Sequence, residues 1–335
     1  MAKKPLKLLL LFDIGEKPPE NQDFTEIFKH DDWKPEVLLV RALKNLGHDV
    51  KPFGLFDDIR PLIDEVTRDR PDLVFNQCEA FRGGRQHEPN AASLLELLDL
   101  KYTGASAHAL QICKDKSLTK KILSFHRIRV PRFVVSKKAR PLRKLPGFAF
   151  PAFTKPLKLE ASEGIAQMSF ADNEKDALDR VRFIHESLGT DAIVEEYIEG
   201  RELYVGVLGN ERLKILPTRE LFFAQVPDGE PKFATFKAKW DDNYRKKWGI
   251  KGGAAKPIAP KAEKHLADVS RKIYQLFQVR GFARIDFRLT PADEIVFLEA
   301  NPNPSLAKDD DFALAAEKAG ITYEQLLEQI IALAT

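Results

Sequence analysis

Cysteine and excess charge are both scarce in this chain. Only Cys78 and Cys113 occur among its 335 residues, which is too few for a disulfide framework or a four-ligand zinc site. We therefore expect a reducing, cytoplasmic compartment. The 53 basic residues are nearly matched by 50 acidic ones, for a formal net charge of +3. So small an excess requires no nucleic-acid partner.

Long apolar runs are absent as well. A helix that spans a bilayer needs about 20 apolar residues, whereas the run near the N-terminus extends only from Leu8 to Phe12 and stops at Asp13. The lysines before it imitate a secretion signal, but no small-residue cleavage site follows. We interpret the run as a buried first strand and expect no membrane partner. The chain has no internal repeat, and its length predicts two or three packed domains.

Predicted strands and helices alternate in the first hundred residues. The patterns predict strands at 6–12, 49–52 and 73–76, a polar loop at 15–33, and helices at 35–46 and 91–98. The first helix is expected to end at Gly47, because glycine commonly follows a helix C-terminus. Such alternation is typical of a doubly wound parallel sheet. We therefore predict a Rossmann-like α/β domain at residues 1–104.

The remaining patterns predict two α+β domains, at residues 105–192 and 193–335. For the first we expect a helix at 114–126, an edge strand at 130–135, a basic linker at 137–146, strands at 149–155 and 166–170, and a helix at 174–188. The proline in the edge strand cannot donate to a sheet. For the second we expect mainly antiparallel strands at 192–196, 202–208, 213–217 and 221–223, a helix at 260–277, and terminal helices at 312–318 and 323–333.

Two polar motifs near the C-terminus lie on neighbouring predicted strands. Arg284 and Asp286 are two residues apart and therefore share one strand face, while the next strand ends in Glu299-x-Asn301. Carboxylate and amide oxygens suit Mg²⁺, whose coordination is usually completed by phosphates and water. An isolated Arg-x-Asp is more often the charged end of an ordinary strand. The second motif nevertheless favours a magnesium–triphosphate site, in which Arg284 could stabilise developing negative charge.

Two lysines earlier in the sequence could bind phosphates. Lys155 ends an apolar strand and precedes a flexible segment through Ser162 and Gly164, whose backbone N–H groups could bind phosphate oxygens. Lys116 lies near the start of a predicted helix. Taken alone, each lysine is more often a solvated surface residue.

An acidic motif follows the predicted strand at 192–196. Glu195 and Glu196 precede a turn at Gly200, and Glu202 begins the next strand. The backbone and a carboxylate at this edge suit the amino group of adenine, and Glu202 could accept hydrogen bonds from ribose hydroxyls. An ordinary acidic hairpin is an equally good interpretation of this motif alone.

The order of these motifs resembles that of the ATP-grasp carboxylate–amine ligases, and among them most resembles the D-alanine–D-alanine ligases. The resemblance runs from about residue 72 to the C-terminus. It rests on five ordered motifs: Asp115-Lys116, Phe153-Thr-Lys155-Pro156, Val194-Glu195-Glu-Tyr-Ile-x-Gly200-Arg-Glu202, Arg284-Ile-Asp286, and Leu298-Glu299-Ala-Asn301-Pro. It implies an ATP-grasp fold, in which two α+β domains enclose ATP behind the Rossmann-like domain, and a homodimer.

The resemblance also implies roles for individual residues. Lys116 and Lys155 would hold the ATP phosphates under the loop that contains Ser162 and Gly164. The carboxylate of Glu195 and the backbone of Glu196 and Ile198 would bind adenine, and Glu202 would bind ribose. Lys239, on a mobile lid at 232–253, would reach the terminal phosphate. Asp286, Glu299 and Asn301 would hold two Mg²⁺ ions, which Mn²⁺ could replace, and Arg284 would stabilise the tetrahedral oxyanion.

The implied activity joins a small-molecule carboxylate to an amine through an acyl-phosphate, with release of ADP and phosphate. We weigh it against an authentic D-alanine–D-alanine ligase, an ATP-grasp small-molecule kinase, and a nucleotide-gated binding protein without turnover. The lid, rich in Lys and Trp, could also be interpreted as a single-strand nucleic-acid patch. Asp241 and Asp242 interrupt that patch, so we favour the ligase.

The substrate side departs from the resembled family. The lid tyrosine is replaced by Trp240, a serine of the phosphate loop by Ala161, and the serine expected to bind the acceptor carboxylate by Asp310. Because Asp310 would repel a carboxylate, either Lys308 takes over or the acceptor carries a cation. Our remaining candidates for the substrate pocket follow the third predicted strand: Glu79, Arg82, His87 and Glu88. Cys78, beside them, is interpreted as a packed thiol.

Overall fold

Three β-sheets, with helices packed against them, make up the described part of the chain. The computed structural model describes residues 4–227 and 229–335. Residues 1–3, with which the predicted first domain begins, and Asp228, in the predicted last domain, lie outside the described residues. No helix within the described residues is long and apolar enough to cross a membrane.

The first sheet is parallel, as predicted, with strand order β2-β1-β3. Its elements are β1 (Lys7–Asp13), α1 (Lys34–Asn45), β2 (Asp49–Leu55), α2 (Arg60–Arg68), β3 (Leu73–Gln77) and α3 (Glu88–Leu97). Leu8 and Leu10 pack into one core cluster and Leu9 and Leu11 into another, so β1 is buried on both faces. Such burial explains its continuous apolar run. Helix α3 begins three residues before the predicted position.

Two consecutive helices occupy residues 107–125, and the second of them is the helix predicted at 114–126. They are α4 (Ala107–Lys114) and α5 (Lys116–Phe125), and they are separated at Asp115. The Asp115 carboxylate accepts hydrogen bonds from the N–H groups of Ser117 and Leu118, which makes it an N-cap. The predicted helix is confirmed as α5, which begins two residues later than expected because of this cap, whereas α4 was not predicted.

The second sheet has the strand order β4-β7-β5-β6 and is antiparallel. Its elements are β4 (Phe133–Ser136), β5 (Ala152–Pro156), β6 (Phe170–Ala171), α6 (Glu174–Ser187) and β7 (Ala192–Glu196). Strand β4 lies at an edge, as predicted. The strand predicted at 166–170 was wrong: the Ala166 carbonyl accepts a hydrogen bond from the Ser169 N–H at 2.8 Å, and this turn leaves only the short β6.

The third sheet carries the C-terminal motifs and has the strand order β11-β10-β8-β12-β13, with β9 paired to β8. Its strands are β8 (Arg201–Leu208), β9 (Lys214–Ile215), β10 (Arg219–Phe223), β11 (Ile250–Ala254), β12 (Phe282–Leu289) and β13 (Ile295–Asn301). Helix α9 (Pro260–Leu276), predicted at 260–277, packs on β8, β9 and β13. The terminal helices, also as predicted, are α10 (Asp311–Lys318) and α11 (Tyr323–Ala334).

The predicted polar lid is more ordered than expected. Residues 232–253 include α7 (Phe236–Trp240), α8 (Asp242–Trp248) and most of β11. The Thr235 hydroxyl accepts from the N–H of Ala238, and the Asp241 carboxylate from that of Tyr244. These caps explain why a segment with few apolar residues forms two short helices.

Strand β7 belongs to the second sheet because it pairs with both β4 and β5. That sheet therefore continues to Glu196, four residues past the predicted boundary at 192. The division into three domains stays a prediction, with its second boundary moved to the turn around Gly200.

Candidate active site

A cleft of about 650 Å³ opens between the second and third sheets. Nine of the residues predicted from the sequence line it: Lys155, Ser162, Glu195, Glu196, Ile198, Glu202, Lys239, Asp286 and Glu299. They come from both sheets, from the loop after β5, from the turn between β7 and β8, and from α7. The fold thus gathers into one cleft residues that are more than 140 positions apart in the chain.

One face of the third sheet forms the floor of the cleft. In the antiparallel pair β12–β13, Arg284 lies opposite Asn301, and Asp286 lies opposite Glu299. Arg284 binds Asp286 through both oxygens, at 2.8 and 2.9 Å. The Asn301 amide donates a further hydrogen bond to Asp286 at 3.2 Å. Partners in an antiparallel pair point to the same side, so the four side chains of the two motifs converge, as the sequence predicts.

The two carboxylates of the floor differ in their pKa values. Burial opposes ionisation of Glu299, but Lys116, Lys155 and Lys239 outweigh it and lower the pKa of Glu299 to about 2. For Asp286, burial outweighs the attraction of Arg284 and raises the pKa to about 6. A divalent cation between them would favour the ionised form of both.

The donor set of the floor fits Mg²⁺. Asp286 and Glu299 supply carboxylate oxygens, and Asn301 supplies an amide oxygen, which are hard ligands of the kind that this ion prefers. Within residues 4–227 and 229–335, no group of three or more His, Cys, Asp or Glu side chains is placed to hold a metal by itself. Two carboxylates and one amide suit an ion whose remaining coordination positions are filled by phosphate oxygens and water.

Three buried lysines lie on α5 and β5, and of these Lys155 lines the cleft, whereas Lys116 and Lys120 do not. The Nζ of Lys155 lies 3.1 Å from Glu195 Oε2, and the Nζ of Lys120 lies 2.9 Å from Glu195 Oε1. Lys120 also donates to the Leu298 carbonyl at 2.8 Å. Lys116 donates to the Leu159 carbonyl at 2.5 Å. Sequence reasoning missed Lys120, although it lies one helical turn after Lys116 and a spacing of four residues puts both on one face.

Aromatic rings line one end of the cleft. Tyr197 packs edge-on against Phe170, with ring centroids 4.9 Å apart, and Phe153 packs edge-on against Phe233 at 4.8 Å. Phe153, Tyr197, Phe233 and the predicted adenine contacts Glu196 and Ile198 line this end. The apolar walls and the nearby backbone groups make it suitable for a flat heterocycle.

Glu202 has two partners that the sequence did not predict. Arg288 donates to Glu202 Oε2 at 2.9 Å, and the Tyr204 hydroxyl donates to Oε1 at 2.8 Å. Burial, followed by the charge of Glu202, raises the pKa of Tyr204 well above its usual range, so its hydroxyl keeps the proton that it donates. The register of β8 and β12 pairs Arg288 with Glu202 and Asp286 with Tyr204.

The loop after β5 has an unusual backbone. Ala161 and Ser162 have φ angles of 52° and 60°, and Gly164 has 69°. Non-glycine residues rarely adopt this left-handed region, and such strain is concentrated at functional sites. The lid lies against the loop: Trp240 donates its indole N–H to the Ala161 carbonyl at 3.2 Å, and Phe236 donates its N–H to the Ile165 carbonyl at 3.0 Å.

The candidate substrate residues behind β3 separate into two groups. Glu88 is buried and lies 2.7 Å from Lys114, which also contacts Glu160 at 2.5 Å. Burial raises the pKa of Glu88 to about 7, with Lys114 opposing and Glu160 adding to the rise. Glu79 forms an ion pair with Arg85. Sequence reasoning missed Lys114 and Arg85, which connect this region to the phosphate loop.

Arg82 and His87 contact residues outside this group. The Arg82 guanidinium donates to the Asp57 carbonyl at 3.0 Å and is exposed. His87 contacts the Asn90 side chain at 3.1 Å. The structure therefore does not bring Arg82 into the group formed by Glu79 and Glu88.

Lys308 and Asp310 are exposed residues just before α10 and do not line the cleft. Their neighbour Asp311 forms an ion pair with Arg219 at 2.9 Å. Asn303, which sequence reasoning left without a role, bridges two parts of the fold. Its side-chain oxygen accepts from the Ala105 N–H at 2.9 Å, and its amide donates to Glu88 at 3.3 Å.

Both cysteine thiols are buried and unpaired with each other. Burial, reinforced by Asp13, raises the pKa of Cys78 well above its usual range, and its thiol contacts the Ala80 carbonyl at 3.2 Å. A thiol of this kind is a poor nucleophile, which agrees with the interpretation of Cys78 as a packed side chain.

Residues 119–332 match a family model described as D-ala D-ala ligase C-terminus. A D-alanine–D-alanine ligase from Aquifex aeolicus is 29% identical over 302 residues, which cover 89% of this chain and 94% of the relative.

Solved structures of D-alanine–D-alanine ligases have the same fold. The enzyme from Bacillus anthracis, crystallised with ATP, superposes with a TM-score of 0.73 at 17% identity, over 98% of this chain and 97% of the other. A D-Ala:D-Ser ligase from Enterococcus faecalis superposes with a TM-score of 0.69 at 19% identity, over 99% and 100% of the two chains. These structures confirm the predicted α/β fold of ATP-grasp type.

Proposed function

The chain belongs to the D-alanine–D-alanine ligase family and is an ATP-dependent ligase that joins a carboxylate to an amine; from this premise we propose how its own residues divide the work. It uses ATP and Mg²⁺, as the family does. We assign the cleft between the second and third sheets to MgATP and the acidic region behind β3 to the small-molecule substrates. The product we propose is a dipeptide or a related amide.

The observation that carries this assignment is the arrangement of charge in the cleft. Lys155 and Lys239 line it together with the opposed carboxylates Asp286 and Glu299. A triphosphate needs both cations and a divalent metal site, and this cleft offers both within one enclosure. The aromatic end, with Glu196 and Ile198, is assigned to adenine, and Glu202 to ribose.

In the proposed first step, a carboxylate oxygen of one substrate attacks the γ-phosphorus of ATP, and the bond to the β,γ-bridging oxygen breaks to release ADP. Lys116, Lys155 and Lys239 stabilise the charge on the transferred group. Mg²⁺, when bound, neutralises phosphate charge and orients the oxygens. We propose two ions, held by Asp286, Glu299 and Asn301.

In the second step, an amine attacks the acyl carbon, loses a proton, and expels phosphate. The tetrahedral intermediate carries an oxyanion, which we assign to Arg284. Burial opposes a charged guanidinium, but Asp286 raises the pKa of Arg284 above its usual value, so Arg284 stays charged. Loss of one such donor typically costs about 3–4 kcal/mol of barrier.

Acyl-phosphates hydrolyse, so water must be excluded between the two steps. The lid is suited to this role because its contacts with Ala161 and Ile165 close the phosphate loop from above. We propose that Ser162 and Gly164 present backbone N–H groups to the phosphates beneath it.

D-alanine is the substrate in the names of the relatives, but the substrate side of this chain supports a different pair. Ala161 offers no hydroxyl to a substrate, and Trp240 already donates to the loop carbonyl. Glu79 and Glu88, with Glu160, outnumber their cations Arg85 and Lys114. Such an excess of carboxylates favours a substrate that carries an additional cation. We also propose a homodimer and, since both thiols are free, a cytoplasmic compartment.

A screen tests the function directly. The purified chain is incubated with MgATP and pairs drawn from D- and L-amino acids, amines and polyamines, and released phosphate is measured. We expect turnover only when a carboxylate and an amine are both present, and the fastest pair to include a cationic amino acid or a polyamine. ADP formation without free phosphate would instead identify a kinase, and turnover confined to D-alanine would refute the proposed selectivity.

A further inference from the structure

The backbone of Lys232, where the lid begins, is held on both sides by side chains of the nucleotide cleft. The Lys232 N–H donates to the Tyr197 hydroxyl at 3.1 Å. The Lys232 carbonyl accepts a hydrogen bond from Nη2 of Arg288 at 2.8 Å. Tyr197 and Arg288 both line the cleft. The start of the lid is therefore attached to the walls that would surround a nucleotide.

Arg288 has further partners, all in the same region. It donates to the Gly200 carbonyl at 2.8 Å and to Glu202 at 2.9 Å, and it is only 4% exposed. A buried guanidinium requires a partner for its charge, and Glu202 is that partner. Gly200 must be glycine, because its φ is +147° and a Cβ there would lie 2.2 Å from the Leu289 carbonyl oxygen. Arg288 thus contacts the turn at Gly200, the Glu202 carboxylate and the start of the lid.

We propose that Arg288 is a positioning residue that couples a nucleoside triphosphate at Glu202 to closure of the lid. This inference rests on the proposed function, in which Glu202 accepts hydrogen bonds from ribose. A ribose bound there holds the Glu202 carboxylate in one orientation. The carboxylate in turn fixes the guanidinium, and the guanidinium fixes the Lys232 carbonyl.

The contacts further along the lid explain why its start matters. Phe236 and Trp240 donate to carbonyls of the phosphate loop at 3.0 and 3.2 Å. Both lie within nine residues of Lys232, so a shift at Lys232 moves them away from the loop. Without Arg288, nucleotide still binds, but the lid opens more often.

Limited proteolysis measures this coupling without any knowledge of the substrates. Trypsin cuts after lysine and arginine, and the lid has several of these residues within α7 and α8: Lys237, Lys239, Arg245, Lys246 and Lys247. The probe is Mg²⁺ with the non-hydrolysable analogue β,γ-methylene-ATP. Binding is measured separately by calorimetry, and cleavage is mapped by mass spectrometry.

Arg288→Gln is the test variant, and Arg201→Gln is the matched control. Arg201 lies on the same sheet and binds Glu220 at 2.7 Å and the carbonyls of Lys256 and Pro257 at 2.7 and 3.1 Å, but it does not line the cleft. In the wild type and the control, we expect the analogue to protect the lid. In Arg288→Gln, protection should fall about tenfold, as expected for loss of one charge-assisted hydrogen bond.

Each outcome decides the inference. Full protection of Arg288→Gln at saturating analogue would refute it. If that variant binds no analogue, Arg288→Lys decides, because lysine keeps a positive charge beside Glu202 but lacks the guanidinium fork that also reaches the carbonyls of Gly200 and Lys232. Reduced protection in Arg288→Lys supports the coupling, and unchanged protection refutes it. If the wild type itself binds no analogue, the proposed function fails, which calorimetry distinguishes from a failure of the coupling alone.

Discussion

Asp286 and Glu299 lie directly opposite each other on β12 and β13. Like charges in this position repel each other and destabilise a strand pair. Arg284 and the buried lysines compensate for part of this repulsion, as the lowered pKa of Glu299 indicates. The remaining charge is available for a divalent cation, so the repulsion between these two residues is the physical basis of the proposed metal site.

We expect Glu299→Gln to reduce phosphate release by about a thousandfold, because a metal that is not held properly cannot supply its several kcal/mol of charge stabilisation. The measurement is steady-state phosphate release over a Mg²⁺ titration. Glu263→Gln, an exposed change on α9, serves as the control. A near-normal rate for Glu299→Gln would show that the metal assignment is wrong.

We expect Lys120 to stabilise the folded protein around the cleft. Its Nζ is bound to Glu195 and to the Leu298 carbonyl, and the side chain is fully buried. Lys120→Met removes one partner of a buried ion pair, which typically costs about 3–5 kcal/mol. Because Lys155 still pairs with Glu195, we expect the lower end of this range. Urea unfolding measures the loss, with the exposed Lys121→Met as control. Equal stability of the two variants would contradict this account.

Trp240→Phe should increase hydrolysis of the acyl-phosphate intermediate. The change removes the hydrogen bond from the indole to the Ala161 carbonyl, and one neutral hydrogen bond is worth about 1 kcal/mol, or roughly a fivefold shift toward an open lid. We therefore expect the ratio of phosphate released to amide formed to rise. The ratio is measured with the best substrate pair from the screen. An unchanged ratio would mean that this contact does not seal the site.

Glu88 should make stability depend on pH. Its pKa is raised from 4.5 to about 7 by burial, so between these values the folded state binds more protons than the unfolded state. Its contribution to stability is therefore fully present below about pH 4.5 and is lost as the pH rises through 7. Thermal melting of the wild type and of Glu88→Gln between pH 4.5 and 8 isolates this effect. The difference between them should change steadily with pH; a constant difference would contradict the prediction.

The two thiols should resist alkylation in the folded protein. Burial raises the pKa of Cys113, and that of Cys78 well above its usual range, and the thiolate is the reactive form. We expect iodoacetamide at pH 8 to modify neither residue until denaturant is added. Rapid modification of Cys78 in the native state, detected by mass spectrometry, would contradict the interpretation of Cys78 as an unreactive, packed side chain.

Part of the floor of the cleft was predictable because strand alternation decides which residues of one strand share a face. Residues two apart share a face, so Arg284 and Asp286 could be paired from the sequence, and Glu299-x-Asn301 ended the next strand. The parallel first sheet followed in the same way from alternating strands and helices. These features depend on local periodicity, which is visible in one sequence.

The residues that were missed depend on register between distant strands. Arg288 meets Glu202 only because β8 and β12 pair with one particular alignment. No local pattern gives that alignment. The ion pairs of Lys114 and Lys120 likewise join segments far apart in the chain. The order of the lid was missed because its two short helices depend on the caps Thr235 and Asp241 instead of an apolar stripe.

Transfer of an isotope label tests the acyl-phosphate mechanism most directly. The carboxylate substrate of the best pair is labelled with ¹⁸O, and released phosphate is analysed by mass spectrometry. If the carboxylate attacks the γ-phosphorus and the amine then expels phosphate, each phosphate formed with an amide carries one oxygen from the substrate. Unlabelled phosphate, formed at the same rate as the amide, would contradict the account.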